Sequence, residues 1–247
     1  MWDEFLLFVA VGLAAQMVDG AIGMAYGVTS SSVLLSVGVP PATASAAVHA
    51  AETFTTGVSG AAHWRLGNID RSLIWRLAVP GMIGGAIGAY VLTAIPGEVI
   101  RPYVSGYLLL LGLFILWKAS SARPAAAPPP SRVAPLGFAG GLLDAIGGGG
   151  WGPIVTSTLL GQGATPRYAI GSVNLAEFFV TLTISATFLL TVGLALWPII
   201  AGLVVGGVLA APFAALVTRH LPDRVLMTLV GCVVVILSVR GLLRALT

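Results

Sequence analysis

Asp144-Ala-Ile-Gly-Gly-Gly-Gly-Trp-Gly-Pro153 closes a short apolar segment, Leu136 to Leu143, and the fold is decided by how this stretch is read. A degenerate copy, Asp19-Gly-Ala-Ile-Gly-Met-Ala-Tyr-Gly27, closes another short apolar segment, Phe5 to Val18. At an offset of 125 the likeness extends without a gap from Asp19–Thr56 over Asp144–Thr181, with 14 of 38 positions identical. Asp19 meets Asp144, Gly23 meets Gly148, Gly27 meets Gly152, Pro41 meets Pro166, Glu52 meets Glu177 and Thr56 meets Thr181. At an offset of 126 the match continues more weakly, with Gly67 over Gly193, Gly81 over Gly207 and Pro96 over Pro222. The chain is a duplication. Its halves are residues 1–119 and 134–247, and the Ala/Pro-rich stretch 120–133 between them reads as a linker.

Charged residues make up 9% of the chain, hydrophobic residues 57%, and the mean hydropathy is +0.99. A soluble domain carries about a quarter of its residues as charges. Apolar runs such as Leu73 to Ile95, Phe178 to Leu196 and Ile199 to Val217 reach or approach the length that crosses a bilayer, about 20 residues. The expected fold is an all-α polytopic membrane protein of about eight to ten membrane segments. Cys232 is the single cysteine, sits in an apolar run and excludes an intramolecular disulfide. The start, Met1-Trp-Asp-Glu, lacks a basic n-region and reads as the approach to a first membrane segment. The net charge of +3 comes from loop arginines and calls for no nucleic-acid partner.

Each half repeats one plan: a short segment, an acid with glycines, a second short segment, then three longer helices. Glycine runs weaken a helix, and non-helical backbone at membrane depth survives only where protein or an aqueous cavity covers it. The first two segments of each half are therefore expected to form a broken or re-entrant hairpin. Placing Arg65, Arg71 and Arg76, the linker cations and Arg167 with Arg219 and Arg224 in the cytoplasm puts both termini outside. The halves then have inverted topology, with Arg101, Arg240 and Arg244 left as exceptions near the outer face. If each hairpin is instead a single crossing, the repeats are parallel.

Inverted repeats with discontinuous helices bind solute near the midplane, where the halves meet. A helix that restarts after a glycine turn offers unpaired N–H groups and a positive dipole end to an anion. Gly20, Gly23, Gly148, Gly149 and Gly150 are thus candidate substrate contacts, with Ser30, Ser31, Thr156 and Ser157 just downstream. The alternative is that the glycines only permit close helix packing. Tyr26 and Trp151 hold equivalent places past the glycines and are candidate pocket walls. His49, Glu52 and Thr56 share a helix face at i, i+3, i+7, and Asn174, Glu177 and Thr181 share the equivalent face. An intramembrane carboxylate is a functional candidate by default, so His49, Glu52 and Glu177 are expected to couple transport to protons, with Asn174 beside substrate. The bland alternative makes the glutamates struts. Asp19 and Asp144 belong to the same coupling group, or cap backbone N–H groups at the breaks. No cofactor is expected, and a lone His49 does not make a metal site.

The Asp144–Pro153 stretch, its copy at Asp19–Gly27 and the duplicated plan resemble the TauE/SafE family of sulfite and organosulfonate exporters. The resemblance covers nearly the whole chain. It implies a carrier in the bacterial inner membrane, with about eight transmembrane helices and small sulfur-containing anions as substrate. Met24 and Tyr26 interrupt the glycine run in the first half, so the two anion contacts are expected to be unequal. An intramembrane enzyme is the weaker alternative, because no Gly-x-Ser-x-Gly elbow or His-Glu-x-x-His motif is present. A channel differs from a carrier only in its gating, and the residues do not separate the two.

Overall fold

The computed structural model describes residues 2–121, 132–193, 196–217 and 223–246. Most of the expected linker, residues 122–131, and the expected basic position Arg219 lie outside the described residues. Among the described residues ten α-helices follow one another: α1 (Trp2–Ile22), α2 (Tyr26–Ser36), α3 (Pro41–Arg65), α4 (Arg71–Ala94), α5 (Gly97–Ser120), α6 (Val133–Gly147), α7 (Ser157–Gly161), α8 (Pro166–Thr191), α9 (Trp197–Val217) and α10 (Asp223–Leu246). A π-helical turn, Gly152–Thr156, leads into α7. No strand occurs among the described residues. The chain is an all-α polytopic membrane protein.

Local chemistry sets the boundaries. Pro41 and Pro166 open α3 and α8, where a missing N–H costs nothing and φ is already helical. Asp70 caps α4, its carboxylate accepting from Ser72 N at 2.9 Å and Leu73 N at 3.2 Å. The breaks fall one step later than the acids suggest: Asp19 and Asp144 lie inside the last turns of α1 and α6. What ends those helices is a glycine in the left-handed region, Gly23 at φ 69° and Gly148 at φ 69°. Two further equivalent pairs share positive φ, Gly38 with Gly163 (100° and 81°) and Gly67 with Gly193 (67° and 71°). The matched glycines of the two expected repeats thus share a backbone conformation. The change of offset from 125 to 126 also has a cause, since α8 has 26 residues and α3 has 25.

By length and composition, α4, α5, Tyr168–Thr191 of α8 and Met227–Arg244 of α10 are long and apolar enough to cross a bilayer. Their outward faces carry large apolar residues, among them Ile83, Leu110, Leu190 and Ile236, as a lipid-facing surface requires. Trp64, Trp117 and Trp197 are exposed near helix ends, where amphipathic rings suit the membrane–water interface. Unlike its counterpart α8, α3 is not among the apolar spans; it buries Ser45, His49, Glu52, Thr55 and Thr56 in the interior.

The main packing joins one half to the other, and it is reciprocal. Helix α1 lies along α9, and α6 lies along α4. Gly12 of α1 abuts the Leu203 carbonyl, while its equivalent Gly137 of α6 abuts the carbonyl of Leu77, the equivalent of Leu203. The counterparts α3 and α8 cross each other running antiparallel, Thr53 meeting Ser185 at 3.3 Å and Ser59 meeting Asn174 at 3.2 Å. The counterparts α5 and α10 also run antiparallel, with Gly112 against Val234, Gly231 against Leu116 and Gly241 against Ser105. Small residues at these crossings bring backbones close, which is how helices associate without a hydrophobic driving force.

Candidate functional site

The two breaks meet. A Cβ on Gly27 would stand 2.8 Å from the Gly149 Cα, and one on Gly152 would stand 2.6 Å from the Met24 Cα. Across this crossing Ser31 Oγ donates to the Gly148 carbonyl, and Thr156 Oγ1 donates to the Gly23 carbonyl at 3.2 Å. Ser31 and Thr156 are equivalent positions, as are Gly148 and Gly23, so each half offers a hydroxyl to the left-handed glycine of the other. Ser157 Oγ points to Met24 Sδ at 3.6 Å, and Ser45 Oγ donates to the Ala145 carbonyl at 2.7 Å. Gly20 lies inside α1, short of the turn.

The acids at the ends of α1 and α6 bridge their own breaks. Asp19 Oδ1 accepts from Ala25 N at 2.7 Å and Tyr26 N at 3.3 Å. Asp144 Oδ1 accepts from Trp151 N at 2.9 Å. The N–H groups that restart each second segment are thereby partnered within the protein. Asp144 Oδ2 also faces His49 Nε2 at 3.2 Å, and His49 Nδ1 lies 2.8 Å from the Ser45 carbonyl oxygen. Asn174, which replaces this histidine in the second half, donates to the Ile170 carbonyl at 3.0 Å.

Glu52 and Glu177 are buried on α3 and α8, and Glu52 takes a backbone hydrogen bond from Gly27. Asp19, Glu52, Asp144 and Glu177 lie close enough to act on one another electrostatically. Four carboxylates thus gather where the breaks meet, and His49 is the imidazole paired with them. No group of three or more histidine, cysteine, aspartate or glutamate side chains arranged to hold a metal occurs among the described residues.

Tyr26 and Trp151 also repeat each other. The Tyr26 hydroxyl donates to the Leu203 carbonyl at 2.9 Å, and its ring lies 3.2 Å from where a Cβ on Gly207 of α9 would stand. The Trp151 indole donates to the Val173 carbonyl at 3.4 Å, and its ring stands 2.8 Å from a Cβ on Gly81 of α4. Gly81 and Gly207, matched in the sequence at offset 126, are the seats of these two rings. Both aromatics are fully packed, with their polar atoms spent on backbone.

Several buried polar atoms near the breaks have no protein partner: Thr29 Oγ1, Ser30 Oγ and Ser32 Oγ on α2, Glu52 Oε2 on α3 and the Tyr107 hydroxyl on α5. Buried polar groups are nearly always hydrogen-bonded, so a group of orphans marks a place where something else supplies the bond.

The model of the sulfite exporter TauE/SafE family matches residues 8–241. This chain belongs to that family. It is also 39% identical over 249 residues to the probable membrane transporter protein YtnM of Bacillus subtilis (strain 168), covering 97% of this chain and 83% of that protein. No solved structure matches it. Family and relative together make it a membrane transporter.

Three residues of this family member were not singled out in the sequence as parts of the site. Lys118, near the end of α5, donates to the Ser157 carbonyl at 2.6 Å, and Arg244, near the end of α10, donates to the Ser36 carbonyl at 2.5 Å. The two cations are equivalent at offset 126, and each reaches into the second short segment of the other half. Arg101 Nη2 donates to the Gly38 carbonyl at 2.9 Å. Arg101 and Arg244, exceptions to the loop-charge scheme, are held by backbone carbonyls at the end of α2, where a cation favours the helix dipole. The recurrence of a cation at Lys118 and Arg244, 126 positions apart, was the available signal.

Proposed function

We propose that this chain is a secondary transporter that exports a small sulfur-containing anion, such as sulfite or an organosulfonate, bound where the two glycine breaks cross. The observation that carries the proposal is the set of buried, unpartnered hydroxyls on α2, the segment that restarts after the first-half break, and on Tyr107, which stands against Gly150. A sulfur oxyanion offers several acceptor oxygens to such donors. Hydroxyls supply them without an arginine at membrane depth, where a charge is costly. The antiparallel crossings of α3 with α8 and of α5 with α10 favour inverted repeats, which suit alternating access by rocking one half on the other.

Proton coupling fits the same place. Four carboxylates around an anion site repel the anion, and every proton taken up there removes one negative charge that it would meet. Glu52, Glu177 and His49 are the groups proposed to exchange those protons, with Asp19 and Asp144 fixed by their backbone bonds. The compartment is a bacterial inner membrane. Counterflow in proteoliposomes tests the reading: external labelled sulfite should accumulate transiently against internal unlabelled sulfite, saturably. Unitary currents with no counterflow would make the protein a channel, and neither activity with any sulfur anion would refute the substrate class.

A further inference from the structure

The second-half break keeps four successive glycines, Gly147 to Gly150, where the first half has Ile22, Gly23, Met24 and Ala25. The cause lies on α5. A Cβ on Gly147 would collide with the ring of Tyr107, and a Cβ on Gly150 would collide with its hydroxyl. The tyrosine ring occupies the room that these two glycines leave. At offset 126 the equivalent of Tyr107 is Val233, shorter and without a hydroxyl, and at offset 125 the equivalents of Gly147 and Gly150 are Ile22 and Ala25. Glycine on one side and tyrosine on the other form one compensated pair, present in one half only.

Packing alone would be met by phenylalanine. The Tyr107 hydroxyl is buried and bonds to no protein atom, although it sits beside Gly150 and within the field of Asp144. Asp144 is already engaged by Trp151 N and by His49. A phenol buried without a partner is unfavourable unless a ligand completes it.

Building on the function proposed above, we infer that Tyr107 is a substrate-binding residue, donating its hydroxyl hydrogen to an oxygen of the anion at the second-half break. The phenol adds a donor without adding a counter-charge, and it makes the two breaks unequal: the anion is held from the Gly147–Gly150 side. The hydroxyl discriminates solutes with an acceptor oxygen at that point from those without one.

Saturable sulfite transport by full-length protein in proteoliposomes, wild type against Tyr107→Phe, tests this, with thermal unfolding of both in parallel. The phenylalanine ring fills the same space over Gly147 and Gly150, so the fold is kept. Loss of a hydrogen bond to a charged ligand predicts a KM raised about 10- to 100-fold. The maximal rate should stay within about twofold, and the variant should unfold no earlier than wild type. An unchanged KM in a wild type that does saturate overturns the role of Tyr107 and leaves the transporter reading standing. Earlier unfolding with unchanged KM overturns it too, by making the hydroxyl a fold contact. A wild type that carries no sulfur anion overturns the functional reading and this inference with it.

Discussion

Thr156 Oγ1 donates to the Gly23 carbonyl at 3.2 Å, and the bond has its mirror in the one from Ser31 to Gly148. Each half closes the break of the other, so neither break is complete until both halves are in place. Thr156→Val and Ser31→Ala should each cost about 1 kcal/mol. Because the two bonds share one crossing, the double variant should depart from the sum of the singles. A double-mutant cycle by thermal unfolding measures this, and strict additivity would separate the two breaks.

Gly148 and Gly67 provide a matched pair for the crossing itself. Their φ values are 69° and 67°, but a Cβ at Gly67 meets nothing within 4 Å while one at Gly148 runs into Ser31. Gly67→Ala should cost only the left-handed backbone penalty, about 1–2 kcal/mol. Gly148→Ala should add about 1–3 kcal/mol of overpacking. Equal losses would mean that the crossing has room to spare.

Asp19 partners two backbone N–H groups, those of Ala25 and Tyr26. Asp19→Ala leaves both donors unmet and should destabilise by about 2–6 kcal/mol, at about 1–3 for each group left bare. Asp19→Asn keeps one acceptor oxygen and should lose far less. Thermal unfolding of the two variants in detergent decides, and an alanine variant as stable as the asparagine one would remove the bridging role.

Lys118 and Arg244 each hold a carbonyl of the opposite half's second segment. Lys118→Met and Arg244→Met should lower stability by about 1 kcal/mol apiece and free those segments. Hydrogen exchange over residues 26–36 should rise in the Arg244 variant, and over residues 152–161 in the Lys118 variant. Exchange that rises in the same segment for both would show that the cations do not act separately.

The carboxylate cluster predicts a change in energetics. Replacing Glu52 and Glu177 with Gln and His49 with Asn should leave sulfite exchange between equal pools but remove the response to an imposed pH gradient. Measured in proteoliposomes, an unaltered response in the triple variant would move the coupling elsewhere.

Much of this architecture is written in the residues. The offset of 125 relates Gly23 to Gly148 and Gly38 to Gly163, and 126 relates Gly67 to Gly193, and each pair shares a positive φ. Pro41 and Pro166, matched at the offset of 125, open α3 and α8. Other features were not legible, because they join residues more than a hundred positions apart and leave no periodic trace. Asp19 and Asp144 suggested breaks at the acids, whereas positive φ at Gly23 and Gly148 sets the breaks later and turns the acids into bridges. Arg101 and Arg244 looked like misplaced loop charges until their carbonyl partners were seen. The glycine run at Gly147–Gly150 suggested an anion loop, and the ring of Tyr107 is the physical reason for its first and last members.

The central claim is that a sulfur oxyanion binds at the crossing of the breaks. Thermal stabilisation of the detergent-purified protein against sulfite, thiosulfate, sulfate, sulfoacetate, taurine, acetate and chloride, at fixed ionic strength, tests it most directly. A ligand at a hundred times its Kd adds about 2.7 kcal/mol. The account predicts that shift for a sulfur oxyanion and not for chloride, and its loss when Ser30 and Ser32 are both replaced by alanine. Folded wild-type protein that no anion stabilises, or an equal shift in the double variant, would contradict it.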